Sequence, residues 1–207
     1  MKSMATPLAK SAGRSEFVRM DRCTGWWLLG AASVGLLASW QLTVDKLHLL
    51  ADPAFTPACS LSALVNCRSV MQSSHSTLFG LPNSLIGIAA FACLIAVSMA
   101  ILARARLQVW YMWGLLAGTV AGVIFIHWLA FQTAFEIGAL CLYCVAVWIA
   151  TLTALGAVAS ACLSHVLPEA PPGRVTSILS FTHEWMPVLV ALWISILAIV
   201  VTIGLVK

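Results

Sequence analysis

IGALCLYCVAVWIATLTALGAVASACLSHVLP, residues 137–168, contains no Asp, Glu, Lys or Arg. A helix that crosses a bilayer needs about 20 consecutive apolar residues, and this stretch supplies them with length left at both ends. Uncharged runs of the same kind recur at 24–44, 82–103, 107–135 and 185–206. Across the whole chain 61% of residues are hydrophobic, 9% are charged and the mean hydropathy is +0.99. A soluble domain carries roughly a quarter charged residues, so this chain cannot cover a water-facing surface. The runs lack the alternation of a membrane β-barrel, and helices apolar on all sides show no stripe. The reading is an all-α integral membrane protein with five spans in a lipid bilayer.

Lysine and arginine placement orients the spans. The amino tail holds Lys2, Lys10, Arg14, Arg19 and Arg22; Arg104 and Arg106 follow the second span, and Arg174 follows the fourth. Lys46, Arg68 and Lys207 fall on the other side. The excess places the amino terminus in the cytoplasm and the long connection 45–81 outside. The net charge of +4 is topology signal and lipid contact, with no nucleic acid partner implied. The first 22 residues are polar, and the run after them exceeds the core of a removable signal peptide, so the first span reads as a retained anchor. Gly114, Gly118 and Gly122 form a doubled small-xxx-small pattern, expected to let a neighbouring helix approach closely.

Position sorts the seven cysteines. Cys59 and Cys67 lie in the outer connection, and Cys141-Leu142-Tyr143-Cys144 opens the fourth span on the same side. Thiols three residues apart on a helix, about 4.5 Å of rise, share one face. A helix start also lowers thiolate pKa through its exposed backbone N–H groups. Two pairs on the oxidising side of one membrane can exchange disulfides. A disulfide inside one helix staples almost nothing, so the second pair has little structural use. Cys59 and Cys67 alone could form a structural loop bridge, and four thiolates could instead hold a zinc-like metal in a non-enzymatic protein. Cys23, Cys93 and Cys162 read as packing residues. His127 is an ionisable residue inside a span, and such groups are functional suspects. A proton role there competes with a plain interfacial histidine beside Trp128.

The ordered set Cys59-x7-Cys67, Ser73, Phe79-Gly80-Leu81-Pro82-Asn83-Ser84 and Cys141-Leu-Tyr-Cys144 resembles the vitamin K epoxide reductase family over residues 25–163. The likeness is to bacterial stand-alone members with a fifth helix. It implies a four-helix bundle around a quinone site plus that extra span. The corresponding divisions are a cytoplasmic basic tail 1–23, a redox bundle 24–168 with outer loop 45–81, a cytoplasmic linker 169–184 and a fifth span 185–207.

The resemblance also assigns roles. Cys144 would meet the quinone, with Cys141 as its disulfide partner. Cys67 would attack that disulfide, and Cys59 would exchange with an outside dithiol. Asn83 would hydrogen-bond a quinone oxygen, and Ser73 would support the site. Pro82 suits a first helical position, so Asn83 would open the second span. Trp148 stands where animal members carry a tyrosine. It can flank a ring and donate one hydrogen bond but supplies no phenolic proton, which favours quinone over epoxide reduction. The expected acceptor is a membrane quinone of menaquinone or ubiquinone type. The expected donor is a separate thioredoxin-fold dithiol protein, since no such domain follows the fifth span before Lys207. The expected activity is disulfide formation at the extracytoplasmic face of a cell membrane, with thiol-driven vitamin K reduction as the alternative.

Overall fold

The computed structural model describes residues 17–18, 20–73, 76–78, 80–167 and 174–206. The basic tail residues Lys2, Lys10, Arg14 and Arg19, together with Ser74, His75, Phe79, the stretch 168–173 and Lys207, lie outside the described residues. Five helices are long and apolar enough to cross a membrane: α1 Arg22–Ala51, α3 Asn83–Leu102, α4 Val109–Gln132, α5 Leu142–Val166 and α7 Met186–Val206. The short α2, Cys67–Gln72, lies in the long connection, and α6, Arg174–Glu184, occupies much of the segment expected as a linker. The protein is an all-α, multi-pass membrane protein.

α1 is the central helix and packs against both α3 and α5; α4 packs on α5 and α7 covers the α4–α5 side. Close approach of α1 and α3 depends on Gly35, where a Cβ would sit 2.3 Å from the Phe91 ring, and on Gly87, where it would sit 2.5 Å from Ser39 Oγ. Where lipid surrounds every helix, dispersion at such close contacts drives association. At the end of the bundle away from Cys59, Cys67 and Cys141, Leu28, Ile101, Met112 and Val158 form a buried core. There β1, Phe17–Val18, pairs antiparallel with β4, Leu107–Gln108, tying the segment before α1 to the start of α4.

α1 continues seven residues beyond the expected end of the first span. Asp45 and Lys46 are helical, because Leu47, Leu49 and Leu50 continue the apolar sequence past them. The helix ends only where Asp52 N–H caps onto His48 O ahead of Pro53. At the same end β2, Thr77–Leu78, and β3, Leu81–Pro82, form a hairpin whose Gly80 has φ +78°, a conformation that favours glycine. The hairpin delivers the chain into α3, with Pro82 at the cap and Asn83 the first helical residue. α4 ends in a π-helical turn, Thr133–Ile137, closed by Gly138, so that only Ala139 and Leu140 separate it from Cys141.

Among the described residues Gly114 and Gly118 seat no neighbouring helix, and only Gly122 faces one, α5. A Cβ at Gly114 or Gly118 would meet nothing within 4 Å, and one at Gly122 would reach only the Thr151 methyl, at 3.4 Å. The stripe instead forms one wall of a cavity.

Candidate functional site: a disulfide relay beside a membrane cavity

Cys141 and Cys67 are held at the same level by a backbone bridge. Leu140 N–H donates to Leu64 O at 2.7 Å, and Asn66 N–H donates to Leu140 O at 3.0 Å, so the residues preceding each cysteine are paired. Asn66 then caps α2 by accepting from Ser69 N–H at 3.2 Å, which fixes Cys67 as the first helical residue. Arg68 reaches back to the carbonyls of Pro53 and Phe55, closing the loop over the cluster.

The result is a buried sulfur cluster. Cys59 and Cys67 form a disulfide, and Cys141 Sγ lies within 4.8 Å of both its sulfurs. Leu49, Met71 and the two sides of the disulfide shield the group; Cys67 and Cys141 are 0% exposed and Cys59 is 5% exposed. Cys141 is a free thiol at the N-cap of α5, with Cys144 free one turn on. Its place at the N-cap of α5 sets it beside the exposed backbone N–H groups of the first helical turn. Such donors favour a thiolate, the attacking form in disulfide exchange.

Cys144 faces both ways. It lies one helical turn beyond Cys141 on α5 and lines a cavity of about 520 Å³ shared by α1, α3, α4 and α5. Cavities of roughly 300–1,000 Å³ hold small organic ligands. α3 and α4 make no extensive contact with each other, and the cavity occupies the gap between them. It runs from Ser73, Asn83 and Cys144 at the cysteine end to Trp110 and Tyr111 at the other.

Three further residues singled out in the sequence meet here. Ser73 ends α2 with its Oγ donating to Val70 O at 2.8 Å, Asn83 opens α3, and Trp148 projects from α5; all three line the cavity. Trp148 is 4% exposed, and its Nε1 is buried with no hydrogen-bond partner among the described residues. An indole N–H is a donor only, and leaving it unpaired costs about 1–3 kcal/mol. A ligand carbonyl in the cavity would satisfy it, so the residues present fit a quinone.

His127 is placed elsewhere. It does not line the cavity. Its Nδ1 lies 2.8 Å from Val123 O and its Nε2 accepts from Trp193 Nε1 at 3.0 Å. A carbonyl only accepts, so Nδ1 carries the proton; that bond lies within α4, and the Nε2 bond to Trp193 joins α4 to α7. A His127→Ala protein is expected to retain the wild-type pH–rate profile and to lose about 1 kcal/mol of stability, read as a lower thermal midpoint. Loss of one limb of the profile would return a proton role to the residue. Of the remaining cysteines, Cys162 is buried in the core at the far end, Cys23 is exposed there, and Cys93 lies partway along the cavity.

The sequence of residues 26–165, about two thirds of the chain, matches the family described as the Vitamin K epoxide reductase family. The chain belongs to the vitamin K epoxide reductase family. Among individual curated proteins none matches it. Membership of the vitamin K epoxide reductase family makes the protein a membrane oxidoreductase in general terms, and members generally use a quinone or vitamin K as electron acceptor. The cluster of Cys59, Cys67 and Cys141 fits redox-active thiols.

Sequence reading missed Lys46 in this site. Its ammonium bonds Met71 O and, at 2.8 Å, Ser76 Oγ, and it lines the cavity. The signal was available, since a lysine inside an apolar helix is a functional suspect. Ending the first span at Val44 concealed it.

Proposed function

We propose that the protein passes electrons from an extracytoplasmic dithiol protein of thioredoxin type, through its two cysteine pairs, to a membrane quinone, and so supports disulfide formation outside the cytoplasm. The observation that carries this reading is the placing of the Cys141 sulfur within 4.8 Å of both sulfurs of the Cys59–Cys67 disulfide, with Cys144 one turn away against the cavity. With Cys59 and Cys67 joined, this end offers two free thiols, Cys141 and Cys144, where a thiolate metal centre takes about four ligands. The basic excess on the amino-terminal side supports the outward orientation of this end.

In the proposed sequence, the donor dithiol attacks Cys59, the Cys59–Cys67 bond breaks, and the donor leaves as a disulfide. Cys59 is nearly buried, so a protein donor must displace part of loop 52–66 to reach it. Cys67 thiolate then attacks Cys141 of an oxidised Cys141–Cys144 pair, forming a Cys67–Cys141 bond and releasing Cys144. Attack of Cys59 on Cys67 restores the loop disulfide and frees Cys141, which is the state described above. Direction follows the reduction potentials of the pairs. Asn83 and Trp148 would hold the quinone, with Ser73 supporting the loop side, and a bound quinone supplies a two-electron, two-proton acceptor. Burial of Cys141 keeps the second pair from adventitious thiols.

Reconstitution in liposomes tests the reading. Protein supplied with a reduced thioredoxin-fold donor and menaquinone or ubiquinone is expected to turn quinone over to quinol with stoichiometric donor disulfide. Turnover confined to a quinone epoxide, or none with any quinone, would overturn it.

A further inference from the structure

Lys46 is the only charged side chain among the described residues lining the cavity. It sits on α1 opposite an otherwise apolar wall with a few hydroxyls and amides. Its two hydrogen bonds go to neutral oxygens, Met71 O and Ser76 Oγ. Ser76 Oγ in turn lies 2.7 Å from Met71 O and 2.8 Å from Ser73 O, either of which its one proton can serve, so the ammonium is held beside Met71 and Ser76. The adjacent carboxylate, Asp45, gives it no salt bridge: Asp45 Oδ1 accepts from Gln41 at 2.9 Å. An ammonium has three N–H donors, and two of them are engaged among the described residues. A cation in apolar surroundings, with no ion pair among the described residues, attracts whatever negative charge forms nearby.

That charge has a source in the reading given above, on which this inference rests. Cys144 and Lys46 line the same cavity. Oxidation of the Cys141 and Cys144 thiols forms one S–S bond and releases two electrons and two protons, both taken up by a quinone that becomes a quinol. As electrons arrive ahead of protons, an oxygen of the acceptor gains negative charge. We propose that Lys46 is a catalytic cation of the cavity, donating its third N–H to that oxygen while it is being reduced. Lys46 keeps its own proton, so the balance closes without another reagent. Fixed donors aimed at developing charge in a water-poor site act on the transition state more than on the bound ground state.

The competing account makes Lys46 only a tether for the loop through Met71 and Ser76. Full-length protein in liposomes separates the two through Lys46→Met and Lys46→Arg. Three quantities are read: quinone turnover, quinone affinity by tryptophan quenching, and exchange between the two cysteine pairs without quinone. Lys46→Met is expected to lower kcat about 10²–10³-fold with affinity and internal exchange little changed, and Lys46→Arg to recover most of kcat. Wild-type turnover in Lys46→Met overturns the inference, as does internal exchange falling in proportion to kcat, the signature of a tether. A wild type that reduces no quinone overturns the reading of the preceding section, and this inference with it.

Discussion

A Cys144→Ser protein is expected to reduce quinone at least about 10³-fold more slowly than wild type, because loss of a covalent nucleophile leaves only positioning behind. Among the described residues Cys144 is the one cysteine that both lies one helical turn from Cys141 and lines the cavity, so no other thiol can take its place. Serine is nearly isosteric, and Cys141 remains the cap of α5, so folding should be preserved. Without Cys144 no Cys141–Cys144 disulfide forms, and donor electrons have nowhere to go beyond the loop pair. The measurement is steady-state quinol formation, with Cys23→Ser as the matched control: Cys23 is exposed and lies at the far end of α1. Turnover by Cys144→Ser near the wild-type rate would mean that electrons leave the protein by another route.

The second large effect is expected at Gly118. A Cβ there meets nothing within 4 Å, and the residue forms part of the cavity wall between α3 and α4. Gly118→Leu would project an isobutyl group into this space. One methylene in an apolar pocket already changes discrimination about 10–200-fold, so the quinone KM should rise at least about ten-fold. Stability should move the other way, since leucine is favoured over glycine in a helix interior by about 0.8–1 kcal/mol. A variant that is at least as stable as wild type yet takes quinone poorly is the expected combination. Loss of folded protein would instead show that the glycines seat a helix, as the small-xxx-small pattern suggested.

The membrane fold was legible because charge is absent over long stretches and nothing else in proteins needs that. Ends were less so. Asp45 and Lys46 looked like the start of the loop, whereas Leu47, Leu49 and Leu50 carry the helix on to Ala51. The four cysteines were readable from type and spacing, since the C-x-x-C pair needs only one helical turn to form. Their union was not, because it depends on Leu140 pairing with Leu64 and Asn66, a contact with no signature in either segment. The glycine stripe shows the same limit. Small residues permit a close helix or an open space equally, and the choice was made by α1, α3 and α5 packing together around Gly35 and Gly87. His127 attracted attention as an ionisable residue in a span, and its partner Trp193 lies 66 residues away.

The most direct test of the relay is the sulfur pairing in a Cys59→Ser, Cys144→Ser protein, in which neither resolving thiol remains. Mild oxidation in the membrane followed by mass spectrometric mapping should find Cys67 joined to Cys141, the mixed disulfide through which electrons would cross between pairs. Free Cys67 and Cys141 under conditions that oxidise the wild-type pairs would contradict the account and leave the loop disulfide as a structural bridge.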